Sequence, residues 1–191
     1  MTFTGPGVAL GQNLPSPWEA QEIVYYHLTL ANSGSGMRFS LLTDSGQKLG
    51  SDIDGFIEEV LTGSPVTVPF SHPQTPPDVT VARPCFVVVE LDEALGWNFL
   101  PGAPAIKTQD DHAADYCALM HVDTAGGITP NQAPTSPPCK VLYFAAIAPK
   151  PAQDHVSDAF NYYVQFEQIP GQSITLVIDP AIKNDGHGGG V

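Results

Sequence analysis

The sequence predicts an all-β fold, two antiparallel sheets packed as a sandwich or jelly roll with one short helix, on three observations. Its 18 Gly and 19 Pro are spread so evenly that long helices are interrupted before they can form. Between these breakers, Val, Ile, Tyr and Phe gather in short runs suited to a pleated, half-buried surface. Near the C-terminus, Phe160, Tyr162, Val164 and Phe166 alternate with Asn161, Tyr163, Gln165 and Glu167, the period of two that gives a strand one inward face. An open barrel is the alternative architecture.

Taken in order, residues 1–17 read as an extended N-terminal arm, because Gly5, Pro6, Gly7, Pro15 and Pro17 surround only a few apolar residues. Strands are expected over Ile23 to Leu30 and Met37 to Leu42, joined by the glycine-rich loop Asn32 to Gly36. Asp52 to Leu61 reads as the helix: Ile53, Phe56, Ile57 and Val60 fall on one face, and Ser51 or Asp52 caps its start. Further strands are expected at Val66 to Phe70, Val79 to Ala82, Cys85 to Leu91, Ala114 to Val122, Val141 to Ala148, Phe160 to Gln168 and Ser173 to Ile178. The unbroken apolar run Phe86 to Val89 marks a central strand covered on both faces or with one face at an interface, and Pro170-Gly171 turns residues 160–178 into a hairpin. Proline-rich stretches at 71–77, 101–104 and 130–138 serve as surface connections within a single domain, 1–191, that ends in a Gly-rich tail, 184–191.

Charge excludes some partners. Only 7 Lys and Arg face 20 Asp and Glu, and the basic residues are scattered singly, so no cationic patch exists to hold nucleic acid or an anionic membrane. No apolar run reaches the roughly 18 residues of a membrane helix, and Met1 to Leu10 lacks the pattern of a secretory signal, which points to the cytoplasm. Cys85, Cys117 and Cys139 are odd in number, without C-x-x-C or zinc spacing, and read as buried thiols in a reducing compartment.

The densest cluster of ligand-type residues is Asp110, Asp111, His112 and Asp115, enough for a divalent cation if a loop lets them converge; a solvated loop is the competing reading. Asp52-x-Asp54-Gly55 fails as a calcium loop, since placing Gly55 at the sixth position puts Leu61 where a bidentate Glu belongs. The six His are never paired as H-x-H or H-E-x-x-H. Phosphate loops, dinucleotide fingerprints and nucleophile elbows are absent. Trp18, Tyr25, Tyr26, Trp97 and Phe99 are the aromatic residues for a carbohydrate surface, with core packing as the competing role.

With no catalytic residue and no cofactor beyond that cation, the sequence reads as a non-enzymatic structural or interaction protein. The expected form is a self-associating β-sandwich subunit whose partners are copies of itself. The alternatives are a ligand-binding module for a divalent cation or carbohydrate, and an unrecognised hydrolase assembled from residues distant in sequence.

The closing Phe160-Asn161-x-Tyr163-Val164, followed by Ile178-Asp179-Pro180-x-Ile182-Lys183-Asn184, resembles the end of small uncharacterised bacterial β-rich proteins that finish with a similar Asp-Pro segment. That resemblance implies no activity.

Overall fold

A computed structural model of the chain describes residues 7–33, 36–41, 45–62, 79–81, 83–92, 96–100, 105–108, 110–130, 139–147, 156–169, 172–178 and 181–184. The expected strand at Val66 to Phe70 and the tail from residue 185 lie outside them. Among the described residues are two seven-stranded sheets and a single α-helix.

The first sheet contains β2 (Glu22–Ser33), β3 (Gly36–Leu41), β4 (Gly46–Leu49), β6 (Cys85–Leu91), β9 (Tyr116–Asp123), β10 (Ile128–Pro130) and β11 (Cys139–Ala146). It runs in the order β10-β9-β11-β6-β2-β3, with β4 also on β2. The second contains β1 (Val8–Ala9), β5 (Val79–Val81), β7 (Trp97–Phe99), β8 (Ile106–Thr108), β12 (Val156–Ile169), β13 (Gln172–Ile178) and β14 (Ala181–Asn184). Its order is β1-β8-β12-β14-β5, with β7 and β13 also on β12. The expected hairpin is present: Tyr162 faces Ile178 and Glu167 faces Ser173 across β12 and β13.

Alternation puts one set of side chains between the sheets. Val24, Tyr26 and Leu28 of β2, Val87 and Val89 of β6, and Leu142 and Phe144 of β11 meet Trp97, Phe99, Ile106, Phe160, Tyr162 and Val164 of the other sheet in one buried cluster. Phe144 and Phe160 stack across the divide with centroids 5.6 Å apart. Each fully buried Leu or Phe here contributes about 1.5–3 kcal/mol of transfer free energy, so this layer holds the sandwich shut.

The opposite set is also covered. Val88, Ile23, Tyr25, Val122, Val141 and Tyr143 pack under α1 (Ile53–Leu61), whose Phe56, Ile57 and Val60 point down onto the first sheet. The apolar run in β6 is therefore buried on both faces, the first of the two readings its sequence allows. Asp52 caps the helix, its Oδ1 accepting from the Gly55 amide at 3.0 Å. A Cβ on Gly55 would lie 2.5 Å from Asp52 Oδ2, so Asp52-x-Asp54-Gly55 is the sequence of a helix start.

Two departures from the sequence reading have physical causes. β2 and β6 run parallel, as do β5 and β14, so the sheets are mixed. Parallel neighbours need a long crossover, and the segment between β2 and β6 supplies one that carries β3, β4 and α1. The N-terminal stretch is also tied into its own fold: Val8–Ala9 pairs with β8, Leu10 is buried, and Gly11 bridges to Cys117.

Candidate functional site

The outer face of the first sheet changes character along its strands. Beneath α1 it is apolar, but the next residues of the same parity, two positions on, are polar: His27 follows Tyr25 on β2, and Glu90 follows Val88 on β6. The parallel register sets His27 beside Glu90 and Tyr25 beside Val88. Asp92 continues the parity, its amide bonded to the Leu28 carbonyl at 2.9 Å.

These groups meet in two pairs, one hydrogen-bonded and one in ion-pair proximity. The Tyr25 hydroxyl donates to Glu90 Oε2, and His27 Nε2 lies 3.4 Å from Asp92 Oδ2. Ser45 holds the backbone of β2 in place here, its Oγ accepting from the His27 amide at 2.8 Å and donating to the His27 carbonyl at 3.2 Å. Phe56 anchors the helix against this corner with its ring centroid 5.4 Å from that of Tyr25. The imidazole and the Asp92 carboxylate are 16% and 24% exposed, and His27 Nε2 itself is buried.

Glu90 also lines a groove that runs under the C-terminal end of α1, with Val60 and Leu61 on the helix side and Asp123, Thr124 and Lys140 on the other. Lys140 sits where the β9–β11 register slips between Cys139 and Val141, a bulge of the kind that re-aims a side chain. Asp123 Oδ1 accepts from the amides of Ala125 and Gly127, both at 2.8 Å, and so fixes the β9–β10 turn that forms the groove's rim. Leu61 and Thr124 also line a neighbouring trough of about 540 Å³ bordered by Asp54, Ile57, Glu58 and Ile128.

Asp110, Asp111, His112 and Asp115 all fall on one 3-10 helix, Asp110–Asp115, leading into β9; the side chains of the first three lie outside the described residues. Among the described residues no three His, Cys, Asp or Glu side chains come together around a metal position. Trp97 and Phe99 are buried between the sheets and Tyr25 and Tyr26 are buried on β2, so these rings form no exposed stacking surface for a sugar. All three thiols are free and buried; burial pushes Cys139 up to about 12 and raises Cys85 and Cys117, which leaves them unreactive.

Tyr25, His27, Glu90 and Lys140 come from three strands and Asp92 follows the end of one of them, and no local motif joins them. One signal was present: Glu90-Leu91-Asp92 places two carboxylates on one face where the most apolar strand ends. No helix among the described residues is long and apolar enough to cross a membrane.

A protein-family model described as a predicted novel nucleotide synthetase matches residues 64–187. No curated protein and no solved structure matches the chain.

Proposed function

The chain belongs to the family described as predicted novel nucleotide synthetases, and on that premise we propose that it is an enzyme that builds a nucleotide at the groove under α1. The expectation of a non-enzymatic, self-associating structural subunit is overturned by this family membership. The misreading has a physical origin: the polar groups are split between β2, the end of β6 and β11, so no single segment carries a recognisable catalytic spacing.

The observation that carries the assignment to this groove is Glu90, which lines it opposite Lys140, accepts from the Tyr25 hydroxyl and lies beside His27 on the neighbouring strand, where His27 Nε2 is 3.4 Å from Asp92. Making a nucleotide means forming one phosphorus–oxygen bond as another breaks, and catalysis then consists mainly of positioning and charge stabilisation. His27 accepts the proton of the attacking hydroxyl while its oxygen bonds to phosphorus. Asp92 orients the imidazole, as a carboxylate does for a general base. The leaving phosphate departs with the electron pair of the broken bond, and the Lys140 ammonium faces the charge that develops. Mg²⁺ is commonly bound by one or two carboxylates together with substrate phosphates rather than by an all-protein cage. An acidic protein therefore suits a metal–nucleotide substrate, and Glu90, steadied by Tyr25, is the carboxylate that meets it.

The family match begins after β2 and α1, yet Glu22 to Leu28 of β2 pair with the whole of β6. Tyr25 and His27 thus complete a site whose Glu90, Asp92 and Lys140 lie in the matched region.

The test is incubation of the purified protein with mixed nucleoside triphosphates and Mg²⁺, followed by chromatography for a new nucleotide. Wild type is expected to form product, with His27→Ala and Asp92→Asn slowed by about 10²-fold or more. Formation of the same product at the wild-type rate by His27→Ala would remove the histidine from the mechanism. Absence of product from wild type with every combination of triphosphates would overturn the proposed activity.

A further inference from the structure

The trough beyond Leu61 differs chemically from the groove that holds Lys140. Leu61 on α1 and Ile128 on β10 are 38% and 44% exposed, two of the few large apolar side chains left open to solvent among the described residues, and both border this trough. The β9–β10 turn closes in over the helix end, since a Cβ on Gly126 would come within 3.7 Å of Leu61 Cδ1. Exposed apolar groups facing one trough from two elements make a slot for a flat, apolar-faced group.

The polar edge of the slot carries acceptors. Glu58 is exposed and its carboxylate has no side-chain partner among the described residues, whereas its neighbour Glu59 is held by Lys48 at 3.2 Å. Glu58 lies three residues before Leu61, about 4.5 Å along the axis at 1.5 Å per residue, and Asp54 one turn farther back. Among the described residues of the lining, the carboxylates here have no Lys or Arg beside them, unlike Glu90 and Asp123 with Lys140, so this end does not take the charged part of a nucleotide. An ionised carboxylate only accepts hydrogen bonds, and it is satisfied best by two adjacent donors.

Building on the nucleotide reading above, we propose that this trough is the base subsite and that Glu58 makes it selective for guanine. Guanine presents its ring N1–H and 2-amino group side by side, both donors, to the two oxygens of one carboxylate. Adenine and cytosine offer a donor next to an acceptor, and uracil a single donor between acceptors, so each leaves an acceptor facing a carboxylate. Leu61 and Ile128 cover the faces of the purine, and because Leu61 and Thr124 line both cavities the phosphates of the same molecule extend toward Lys140 and Glu90. Base reading by edge hydrogen bonds and apolar faces follows the general pattern for isolated bases.

Calorimetric titration with GTP, ITP and ATP in the presence of Mg²⁺ tests this on wild type, Glu58→Gln and Lys140→Ala. Wild type is expected to bind GTP roughly tenfold or more tightly than ATP, with ITP, which lacks the 2-amino donor, between them. Glu58→Gln, a surface change that the fold tolerates, is expected to collapse that preference, since an amide pairs equally well with the adenine edge. Lys140→Ala is expected to weaken all three without changing their ratio. Equal affinity for GTP and ATP in wild type, or an undiminished preference in Glu58→Gln, overturns the base assignment and leaves the nucleotide reading standing. Failure of wild type to bind any of the three overturns both.

Discussion

Replacing Tyr25 by Phe isolates one hydrogen bond at the centre of the site. The side chain is 3% exposed and its ring packs edge-on against Phe56, a contact that Phe preserves, so the variant loses only the hydroxyl that donates to Glu90. A hydrogen bond to a charged acceptor contributes about 1.5–3 kcal/mol. Glu90 is half-buried and water can replace part of the lost donor, which places the expected loss near the lower bound, about 1.5 kcal/mol. With a urea dependence of about 2 kcal/mol per molar, the unfolding midpoint falls by roughly 0.75 M. The assay is a double-mutant cycle of Tyr25→Phe with Glu90→Ala, read by urea denaturation, and the expected coupling is about 1.5 kcal/mol. A coupling below about 0.3 kcal/mol would refute the claim that Tyr25 holds the Glu90 carboxylate at the groove floor.

Three other outcomes are expected. Ala118 holds a left-handed φ of 53° where β9 bulges against β11, a strained conformation for a residue with a Cβ, so Ala118→Gly should raise the melting temperature slightly, by up to about 1 kcal/mol of stability; a lower melting temperature refutes the strain. Burial raises the Glu22 carboxyl above its ordinary value, with Arg83 opposing, and its Oε1 has no partner. A raised folded-state pKa means that the group's favourable contribution is complete below the unfolded value and is lost as pH rises through the folded one. Glu22→Gln should therefore match wild type in mild acid and exceed it in thermal stability at neutral pH, and a neutral-pH loss would contradict this. Divalent-cation binding independent of nucleotide is proposed to centre on Asp110, Asp111, His112 and Asp115, so calorimetric titration with Ca²⁺ or Mg²⁺ should show weaker affinity in Asp111→Asn, and equal affinity would remove Asp111.

Legibility in the sequence followed side-chain burial. The run Phe86 to Val89, the alternation of Phe160 to Glu167 and the apolar face of the helix were readable because each forms a complete pattern within one segment, and each occupies its expected place. The short strands at Gly46–Leu49, Trp97–Phe99, Ile106–Thr108 and Ile128–Pro130 were not, because three or four residues are too few to display a period and their pairing is decided by neighbours far along the chain. The site was hidden for the same reason. Tyr25 and Glu90 meet across 65 residues through the parallel pairing of β2 and β6, a contact that no local spacing encodes. Glu90-x-Asp92, polar residues ending an apolar strand on one face, was the one local signal, and it was not singled out from the sequence.

The central claim is that the groove bordered by Lys140 is where this chain makes a nucleotide, and the most direct test is the rate of product formation by Lys140→Ala. Lys140 is half-buried at a bulge, so its replacement should leave the fold's thermal stability nearly unchanged while lowering kcat/KM by about a hundredfold or more, the cost of removing one group that faces developing charge. The same product formed by Lys140→Ala within about twofold of the wild-type kcat/KM, a difference too small for such a group, would place the chemistry elsewhere on the molecule.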